Sequence, residues 1–488
     1  MELIHISRSS LDELRSKLEV PQYLLESKAN TILHIGVGNF HRSHQAYYLH
    51  ELLQKNLADW NICGAGLMPQ DIKMKKALAE QDYLYTLITQ ESGKESASII
   101  GSIRDYIHIP TEPDRYSSIC TSDKLKIISL TITEKGYCFD NNMDLDTENE
   151  GISHDLNQKD EYPVSAIGIL TFGLRQRMLN GGLPVTVLSC DNIPENGAVL
   201  KKILFQFVEC MYDKELLHYL TQSISFPCTM VDRITPMTTE TKINYLGSNY
   251  GIIDRVPVFS EKYIQWVVED DFKNGRPEWE KVGVTFVDDV KPYELMKIRL
   301  LNGGHSALAY LSLLAGYRYV DEAMNDELIR RFVLNYMNEL KATLKPIEGI
   351  NYDEYIDTLI NRFANPAVRD RLLRLAEDGS TKFVNAAIAP LLLLLEKGEA
   401  VPNISIALGA WIIYLRQSLK NKSFEVKDPI AAKLQKAAEE ATENFSAFLS
   451  VQNVFPKKIF KYPEFIQKFE KTVLNITQNG VKNFLKKK

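Results

Sequence analysis

An apolar run that ends in a glycine turn restricts the possible folds of this chain more than any other feature. The run covers residues 31–35, leads into Gly36 and Gly38, and is followed by a helical pattern over residues 43–54. A strand, a tight glycine turn and a helix form the unit in which backbone N–H groups at a helix N-terminus hold a pyrophosphate. We therefore predict an α/β fold with a Rossmann-type nucleotide-binding domain. An ordinary strand–helix turn is the alternative, because His41 stands where the usual motif has its third glycine.

Three more apolar, β-branched runs predict buried parallel strands, at residues 60–67, 126–133 and 184–190. Asp71 lies just beyond the first of these runs, where an acidic side chain can bind the adenosine ribose of NAD. A lysine cluster follows, comprising Lys73, Lys75 and Lys76. The cluster is either a solvated helix face or a site for the 2′-phosphate of NADP, and we predict NAD as the cofactor.

Polar residues follow the second and third of these strands. Ligands of open α/β sheets bind at the carboxyl ends of the strands, so these positions are candidate site residues. They are Thr133, Glu134, Asp191 and Asn192. Further along, prolines at positions 227 and 236 bracket an extended segment that presents Asp232 and Arg233, either as site residues or as a surface ion pair. The acidic residues 141–161 predict a loop, and residues 284–290 predict a last strand.

The pattern changes near residue 290, where strand-like runs end and helical patterns follow one another. Apolar residues there recur mostly at i, i+3 and i+4, which is typical of amphipathic helices. The predicted helices cover residues 293–317, 320–344, 352–363, 370–377, 382–396, 404–418, 430–450 and 464–475. We therefore predict a Rossmann-type dinucleotide-binding domain over residues 1–290 and a mainly α-helical C-terminal substrate domain over residues 291–488.

Composition and charge argue against several classes of protein. The net charge of −6, without a basic stripe of interleaved aromatic residues, argues against nucleic-acid binding. Residues 1–17 do not resemble a signal peptide, and the longest apolar run, residues 386–395, is too short to span a bilayer. Six scattered cysteines predict reduced thiols in the cytoplasm. The sequence has no C-x-x-C pair and no H-E-x-x-H motif, so we expect no metal.

We place the chemistry in the stretch from Lys297 to His305. On an α-helix, at about 100° per residue, Asn302 lies about 140° from Lys297 and His305 lies about 80° from it. A lysine beside an imidazole on an apolar segment can be neutral near pH 7 and act as a general base. The amide can donate a hydrogen bond to a developing oxyanion. The alternative is a solvated lysine, a capping asparagine and a core histidine.

Two glycines inside this helical stretch, Gly303 and Gly304, weaken a helix by roughly 1 kcal/mol each. Such a weakness is often found where a ligand approaches the backbone. Downstream, Arg374 and Lys382 flank a turn at residues 378–380. These two cations either contact substrate hydroxyls or are solvated.

Five motifs, in one order along the chain, resemble those of the polyol-specific long-chain dehydrogenase/reductase family. They are Gly36-x-Gly38-x-Phe40-His41-Arg42, Ser129-Leu130-Thr131-x-Thr133-Glu134-Lys135-Gly136-Tyr137, Ser189-Cys190-Asp191-Asn192, Met230-Val231-Asp232-Arg233 and Lys297-x4-Asn302-x2-His305. The resemblance covers nearly the whole chain and includes the departure at His41. It implies zinc-independent hydride transfer between a sugar alcohol and NAD.

The resemblance also implies roles for individual residues. Lys297 is implied to be the general base that takes the proton from the hydroxyl being oxidised, while Asn302 and His305 position and polarise the reacting oxygen. From the glycine turn and the strand ends, the residues that we predict to bind the cofactor are Gly36, Gly38, Phe40, His41, Arg42, Asp71, Thr133 and Glu134. Those implied to bind the substrate are Asn192, Asp232, Arg374 and Lys382.

Two branches of the family fit the substrate end. Residues 315–318 are similar to the mannitol branch, which interconverts D-mannitol and D-fructose, whereas residues 226–230 are similar to the fructuronate reductase branch. A uronate carboxylate is best held by an arginine, for which Arg299 or Arg374 is available. We predict the mannitol reaction, in a monomer or a small homo-oligomer. Another hexuronate or pentitol member of the family, a phosphosugar dehydrogenase and a non-catalytic nucleotide-binding protein of the same fold are the remaining alternatives.

Overall fold

The predicted strand, glycine turn and helix are present, and the strand lies inside a parallel sheet. The computed structural model describes residues 3–23, 29–91, 93–140, 142–158, 161–421, 424–441 and 444–488. In sheet order, the six strands are Ile103–His108, Trp60–Gly66, Asn30–Ile35, Leu125–Leu130, Val185–Ser189 and Ile224–Ser225. All neighbouring strands are parallel. Numbered along the chain, the order is 3-2-1-4-5-6, which is that of a dinucleotide-binding sheet and confirms the predicted Rossmann-type domain.

The central strands are buried on both faces, which explains their continuous apolar sequence. One face packs into a core that contains Leu33, Ile128 and Val187, and the other packs into a core that contains Ile32 and Ile127. The helices of this half of the chain are Leu11–Leu14, Asn39–Ser43, Gln45–Gln54, Ile72–Ala79, Pro113–Thr121, Thr133–Gly136, Glu150–Asn157, Ala166–Leu179, Asn196–Cys210, Lys214–Ser223 and Glu240–Tyr250. Short 3-10 turns lie at Arg8–Ser10, Pro69–Asp71, Ile109–Thr111 and Trp279–Val282.

Smaller sheets accompany the large one. The first consists of Val258–Glu261, Tyr85–Glu91 and Lys94–Ile100. The second consists of Thr229–Asp232, Gln265–Glu269 and Thr285–Val287, and Ile4–His5 pairs with Ile252–Ile253. The strand predicted at residues 284–290 is therefore real but short.

The prediction of a loop over residues 141–161 is wrong for its middle part. A helix, Glu150–Asn157, lies there. The side chain of Asn149 accepts hydrogen bonds from the N–H groups of Gly151 and Ile152, which starts the helix. Ile152 is fully buried and anchors it. Residues 141, 159 and 160 lie outside the described residues.

The described chain beyond residue 290 is mainly helical, as predicted. The chain divides at this point into two compact units, Met1–Val290 and Lys291–Lys488. The α-helices of the second unit are Lys291–Met296, Gly303–Leu314, Val320–Met324, Glu327–Lys341, Tyr352–Phe363, Leu372–Leu375, Gly379–Phe383, Ala389–Glu396, Pro402–Ser418, Ala431–Glu440, Pro463–Asn479 and Val481–Lys486. Its π-helices are Lys297–Asn302 and Val384–Ile388, and its 3-10 helices are Phe445–Ser450 and Lys457–Lys461. Among the described residues, no helix has the length and apolar character needed to cross a membrane.

A cap divides one of the predicted helices. The pattern over residues 320–344 predicts a single helix, whereas the structure has two, Val320–Met324 and Glu327–Lys341. The side chain of Asp326 accepts a hydrogen bond from the N–H group of Leu328 and so begins the second helix. Apolar periodicity continues through the break, which is why the pattern alone does not reveal it.

Burial of His50 predicts an acid-sensitive contribution to stability. Its imidazole is buried, with Nδ1 2.8 Å from the hydroxyl of Tyr23, and burial lowers its pKa to about 3. The unfolded chain binds a proton at this position near pH 6.5 and the folded chain does not, so stability is lost as the pH falls below about 6.5. Between pH 7 and pH 5 this one site lowers the free energy of unfolding by about 2 kcal/mol.

We therefore expect the His50→Gln variant to lose about 2 kcal/mol less than the parent chain between pH 7 and pH 5, as measured by urea unfolding. The exposed His5 offers a matched control, and His5→Gln should retain the pH dependence of the parent. An unchanged pH dependence in His50→Gln would show that the buried imidazole does not contribute.

Candidate active site

The glycine turn allows the backbone to approach a ligand closely. Gly36 has a φ of +95°, and a Cβ there would lie 2.2 Å from the carbonyl oxygen of Thr131, so no side chain fits. Gly38 immediately precedes the helix Asn39–Ser43. No atom of the described residues lies within 4 Å of a Cβ built on Gly38. This open space and the N–H groups at the start of the helix fit the pyrophosphate of a dinucleotide.

Two stacked histidines support the turn from inside the first unit. The rings of His34 and His41 are fully buried, with centroids 3.3 Å apart. His34 lies 2.8 Å from the Ser129 hydroxyl and 2.9 Å from the Thr131 hydroxyl, and the latter donates to the Gly36 carbonyl at 2.6 Å. Burial lowers the pKa of His34 to about 3 and that of His41 well below its ordinary value, so both rings are neutral at pH 7. His41 thus supports the turn rather than facing solvent beside it.

Arg42 is also directed inward. Its guanidinium is buried and donates to the carbonyl of Gly38 at 3.3 Å, to the side-chain oxygen of Asn39 at 2.6 Å and to the carbonyl of Val256. Phe40 is half-buried at the same turn. Arg42 therefore holds the turn in shape, and its role in cofactor binding stays a prediction.

Asp71 lies beyond the end of the neighbouring strand, where a ribose-binding carboxylate is expected. Its carboxylate accepts a hydrogen bond from the N–H group of Met68 at 2.9 Å, which fixes the loop. A Cβ on Gly66 would lie 2.5 Å from the Asp71 Cβ, so the strand and the loop pack closely. Lys75 donates to the carboxylate of Glu112. One of the lysines considered for a 2′-phosphate is therefore already paired with an acidic residue.

Asp191 holds the turn that carries Thr133 and Glu134. Its buried carboxylate accepts hydrogen bonds from the N–H groups of Ile132 at 3.0 Å and Thr133 at 2.8 Å, and from the hydroxyl of Tyr137 at 2.8 Å. Thr133 has a φ of +62°, which is unfavourable for a β-branched residue. The bonds to Asp191 maintain this conformation, while Thr133 and Glu134 remain exposed. Burial raises the pKa of Asp191. Its place at the carboxyl end of a strand made Asp191 a candidate site residue, whereas the resemblance to the family implied no role for it.

Asn192 and Asp232 end neighbouring segments of the first unit. Asn192 is exposed after the fifth strand of the sheet, whereas Asp232 is buried at the end of its strand. The alternative of a surface ion pair is wrong for Arg233, because its buried guanidinium donates to the carbonyls of Glu261 and Ser43. Since Ser43 ends the helix after the glycine turn, Arg233 joins the Asp232 segment to that turn.

The predicted catalytic stretch is helical, but its first part is not an α-helix. Residues Lys297–Asn302 form a π-helix between the α-helices Lys291–Met296 and Gly303–Leu314. Hydrogen bonds in a π-helix join residues five apart, as in the bond from the N–H group of Gly303 to the carbonyl of Ile298. Because Lys297 and Asn302 are also five apart, they lie on the same side, whereas an α-helix would separate them by about 140°. The assumption of α-helical geometry was therefore wrong, and the actual geometry places the two residues on the same side of the helix.

The π-helix places Lys297 inside the second unit. Lys297 is 8% exposed, and Asn302 and His305 are half-buried. This burial contradicts the alternative of a solvated lysine and is the condition that the predicted general base requires. The ring of His305 stacks on that of Phe363, with centroids 4.2 Å apart and planes 23° apart, which fixes its orientation. Since π-helices are rare and concentrate at functional sites, the segment is the best candidate for the catalytic centre.

Close packing, rather than the approach of a ligand, explains Gly303 and Gly304. A Cβ on Gly303 would lie 3.2 Å from Leu340 and 3.4 Å from the carbonyl oxygen of Ala386. A Cβ on Gly304 would lie 2.4 Å from Met337. The glycine pair therefore allows the helix to pack against its neighbours, which corrects the role expected from the sequence.

Arg374 and Lys382 belong to short helices that pack against Gly303–Leu314, the helix of His305. Arg374 donates to the carboxylate of Asp370, with Nε and Oδ1 2.8 Å apart. Lys382 Nζ lies 3.5 Å from the carbonyl of Leu375, and burial lowers the pKa of Lys382. The fold thus brings the predicted substrate-binding cations to the helix that carries the predicted catalytic imidazole.

Arg299, the other arginine considered for a uronate carboxylate, is buried next to Lys297. Its guanidinium donates to the carbonyl of Thr343 at 2.7 Å and to the Thr343 hydroxyl at 3.0 Å, and burial lowers its pKa. Both Arg299 and Arg374 therefore already donate to oxygen atoms of this chain. This arrangement favours a neutral substrate over a carboxylate.

Two family models match the chain. The mannitol dehydrogenase Rossmann domain matches residues 30–281, and the mannitol dehydrogenase C-terminal domain matches residues 289–477. Mannitol 2-dehydrogenase of Aspergillus fumigatus is 38% identical over 464 residues, which cover 93% of this chain and 92% of that protein. Mannitol dehydrogenase 2 of Saccharomyces cerevisiae is 36% identical over 480 residues, with 97% and 95% covered.

Two solved structures are similar over almost their full length. Mannitol 2-dehydrogenase of Pseudomonas fluorescens, in a ternary complex with NAD and D-mannitol, is 39% identical, has a TM-score of 0.83 and covers 99% of each chain. A substrate-free D-sorbitol dehydrogenase is 32% identical, has a TM-score of 0.91 and covers 98% of this chain and 100% of that one. These similarities confirm the relationship predicted from the motifs. The chain belongs to the mannitol dehydrogenase family.

Proposed function

We propose that this chain is an NAD-dependent mannitol 2-dehydrogenase that interconverts D-mannitol and D-fructose. Membership of the family makes it an NAD-dependent polyol dehydrogenase, which is the enzyme class predicted from the motifs. The relative solved with NAD and D-mannitol supports this cofactor and this substrate. The observation that carries the proposal is the π-helix Lys297–Asn302, which brings a buried amine and an amide to one side of a helix. His305 follows Asn302 by less than one turn and Lys297 by about two turns.

Oxidation of a secondary alcohol removes a proton from the hydroxyl and a hydride from its carbon. NAD, when bound, supplies the hydride acceptor. Lys297 takes the hydroxyl proton as the general base and becomes an ammonium ion. The Asn302 amide and the His305 imidazole hydrogen-bond the reacting oxygen and stabilise the negative charge that develops on it. In the reverse reaction, the Lys297 ammonium returns the proton to the carbonyl oxygen of the ketose.

The substrate end favours a polyol. A uronate reductase needs a guanidinium that is available to a carboxylate, whereas Arg299 donates to Thr343 and Arg374 donates to Asp370. The fructuronate reductase alternative is therefore not favoured. We assign contacts with the substrate hydroxyls to Arg374, Lys382, Asn192 and Asp232. The carboxylate of Asp370, which already neutralises Arg374, would repel a second carboxylate but not a neutral hydroxyl.

The first unit has the features that an NAD site requires. Gly36 allows the tight turn against Thr131, Gly38 leaves room for the pyrophosphate, and Thr133 and Glu134 are exposed at the end of a central strand. Asp71 would accept hydrogen bonds from the adenosine ribose hydroxyls, and its charge would repel the 2′-phosphate of NADP. Phe40, His41 and Arg42 contribute through the shape of the turn.

We assign dinucleotide binding to residues 1–290 and substrate binding and catalysis to residues 291–488. We further propose that the protein acts in the cytoplasm, as a monomer or a small homo-oligomer, without a nucleic-acid, membrane or metal partner. These assignments rest on the strand and helix patterns, the scattered cysteines, and the charge and motif content of the sequence.

Initial rates with four candidate substrates test the proposal. With NADH, we expect kcat/KM for D-fructose to exceed that for D-fructuronate by at least about 100-fold, because the Asp370 carboxylate that is paired with Arg374 would repel the substrate carboxylate. With NAD, we expect D-mannitol to react faster than D-sorbitol, which differs from it only in configuration at C2. NADH binding, followed by fluorescence, serves as the control for a folded cofactor site.

Each contrary outcome has a definite meaning. Preference for D-fructuronate would make the chain a uronate reductase and would require an arginine to leave its present acceptor. Preference for D-sorbitol would leave the proposed type of reaction unchanged and replace D-mannitol as the proposed substrate. Binding of NADH without turnover of any of these sugars would refute the proposed substrate and favour a nucleotide-binding protein of the same fold.

A further inference from the structure

A pocket of about 610 Å³ opens on the second unit, and none of the residues assigned to catalysis lines it. It lies between the first turns of two helices, Pro402–Ser418 and Pro463–Asn479, and the segment at residues 398–401 completes its wall. Pockets that hold small ligands in proteins have volumes of about 300–1,000 Å³. The pocket therefore has the size of a ligand site, and none of the proposed functions uses it.

The inner surface of the pocket is apolar. Val401 and Phe465 are buried there, and Leu395 is half-buried beside them. The hydroxyl of Ser405, which also lines the pocket, donates to the carbonyl of Val401 at 2.7 Å and so does not need a polar ligand. An apolar body placed on this surface would be removed from water, which favours binding.

The rim of the pocket is basic. The lining residues with charged side chains are Lys461, Lys468, Lys471, Lys488, Glu399 and Glu464. Four lysines and two glutamates leave a net charge of +2. Among the described residues, Lys461, Lys468 and Lys471 form no ion pair within the structure, whereas the charge of Lys488 is offset in part by Glu339. The charges of Lys461, Lys468 and Lys471 are therefore available to an external anion.

Helix geometry adds to this positive potential. Phe465, Lys468 and Thr472 are spaced at i, i+3 and i+7, so one face of the helix Pro463–Asn479 presents the apolar surface and the rim charge together. The same helix begins at the pocket without a side-chain cap from Tyr462, and the start of a helix favours a negative charge, part of which Glu464 in the first turn already supplies. The other helix contributes less, because Glu339 accepts hydrogen bonds from its first N–H groups.

We propose that this pocket binds a small organic acid with one carboxylate and an apolar body, of the medium-chain alkyl carboxylate class. The alkyl body lies on Val401 and Phe465, and the carboxylate faces Lys468 and Lys471. This site is independent of the proposed dehydrogenase reaction, because it uses none of the residues assigned to that reaction.

Calorimetric titration of the full chain with sodium octanoate tests the proposal. We expect saturable binding of one octanoate per chain, and at least a tenfold increase in Kd for the double variant Lys468→Ala/Lys471→Ala. The matched control is Lys433→Ala/Lys436→Ala, which removes two exposed lysines of the same unit that do not line the pocket, and its Kd should equal that of the parent. Ala400→Trp, at an exposed lining position, should fill the pocket and abolish binding.

Two further probes separate charge from apolar contact. Octan-1-ol lacks the charge and inorganic phosphate lacks the apolar body, so each should bind at least tenfold more weakly than octanoate. Equal Kd values for the parent and Lys468→Ala/Lys471→Ala would overturn the proposal, as would failure of octanoate to saturate below 10 mM. Phosphate that binds as tightly as octanoate would also overturn it, because the site would then recognise an inorganic anion alone. Circular dichroism and thermal melting confirm that each variant is folded.

Discussion

Replacing Lys297 with alanine is expected to reduce kcat for D-mannitol oxidation by about a thousandfold, while NADH binds as tightly as to the parent. The amine is the group on the π-helix that can accept a proton from the substrate hydroxyl, and alanine leaves no acceptor in its place. The side chain is buried in the second unit, whereas the glycine turn that fits the dinucleotide belongs to the first. Initial-rate kinetics and fluorescence titration with NADH measure the two effects separately.

Two controls test whether the loss of activity in Lys297→Ala comes from loss of the general base. Lys397→Ala, at an exposed lysine of the same unit, should retain full activity. Methylamine added to Lys297→Ala should restore part of kcat, because a free amine can take the place of the missing side chain, whereas it should not rescue Asn302→Ala. A Lys297→Ala enzyme with a near-parental rate would remove Lys297 from the role of general base.

The second large effect is expected at the glycine turn, where Gly36→Ala should lower the free energy of unfolding of the first unit by about 3 kcal/mol or more. An alanine Cβ would lie 2.2 Å from the Thr131 carbonyl oxygen, and the φ of +95° is strained for any residue with a side chain. The Thr131 backbone cannot easily move away, because its N–H group donates to the carbonyl of Ile35 in the neighbouring strand. Urea unfolding measures the loss, and NADH binding should be lost with it.

Gly38→Ala provides the matched comparison two residues later. The backbone there is extended, with φ −90° and ψ −173°, and the space around the Cβ position is open among the described residues. Stability should therefore stay within about 0.5 kcal/mol of the parent. NADH binding should nevertheless weaken by at least about tenfold, since the methyl group would occupy space that the pyrophosphate needs. If Gly38→Ala binds NADH normally, the pyrophosphate does not lie at this turn.

The sequence predicts those parts of the fold that have a local signature. Strands buried on both faces are continuous apolar runs, so the strands near residues 60–67, 126–133 and 184–190 are recognisable. The strand Ile103–His108 was missed, because it lies at the edge of the sheet and contains Arg104 and Asp105. Its position depends on pairing with Trp60–Gly66, which no local pattern reveals.

The candidate site, like the fold, has parts that the sequence predicts and parts that it does not. Residue types and their order along the chain identify the family, since each motif is local. The directions of the side chains depend on partners that are distant in sequence: Arg42 reaches Val256, and Arg299 reaches Thr343. The π-helix also cannot be predicted from the sequence. Hydrogen bonds between residues five apart, instead of four apart, change neither the composition nor the apolar pattern of the segment.

A π turn holds one residue more than an α turn, so the continuous helix from Lys291 to Leu314 carries the equivalent of a one-residue insertion. If the same residues instead formed a regular α-helix, with none removed, the following helix would be rotated by about 100° relative to the preceding one. Gly303 and Gly304 would then turn away from Leu340 and Met337, and larger side chains would replace them at the contact. The helical register that aligns the catalytic side chains is thus the one that also packs the helical core. The catalytic segment and the core contacts must therefore evolve together.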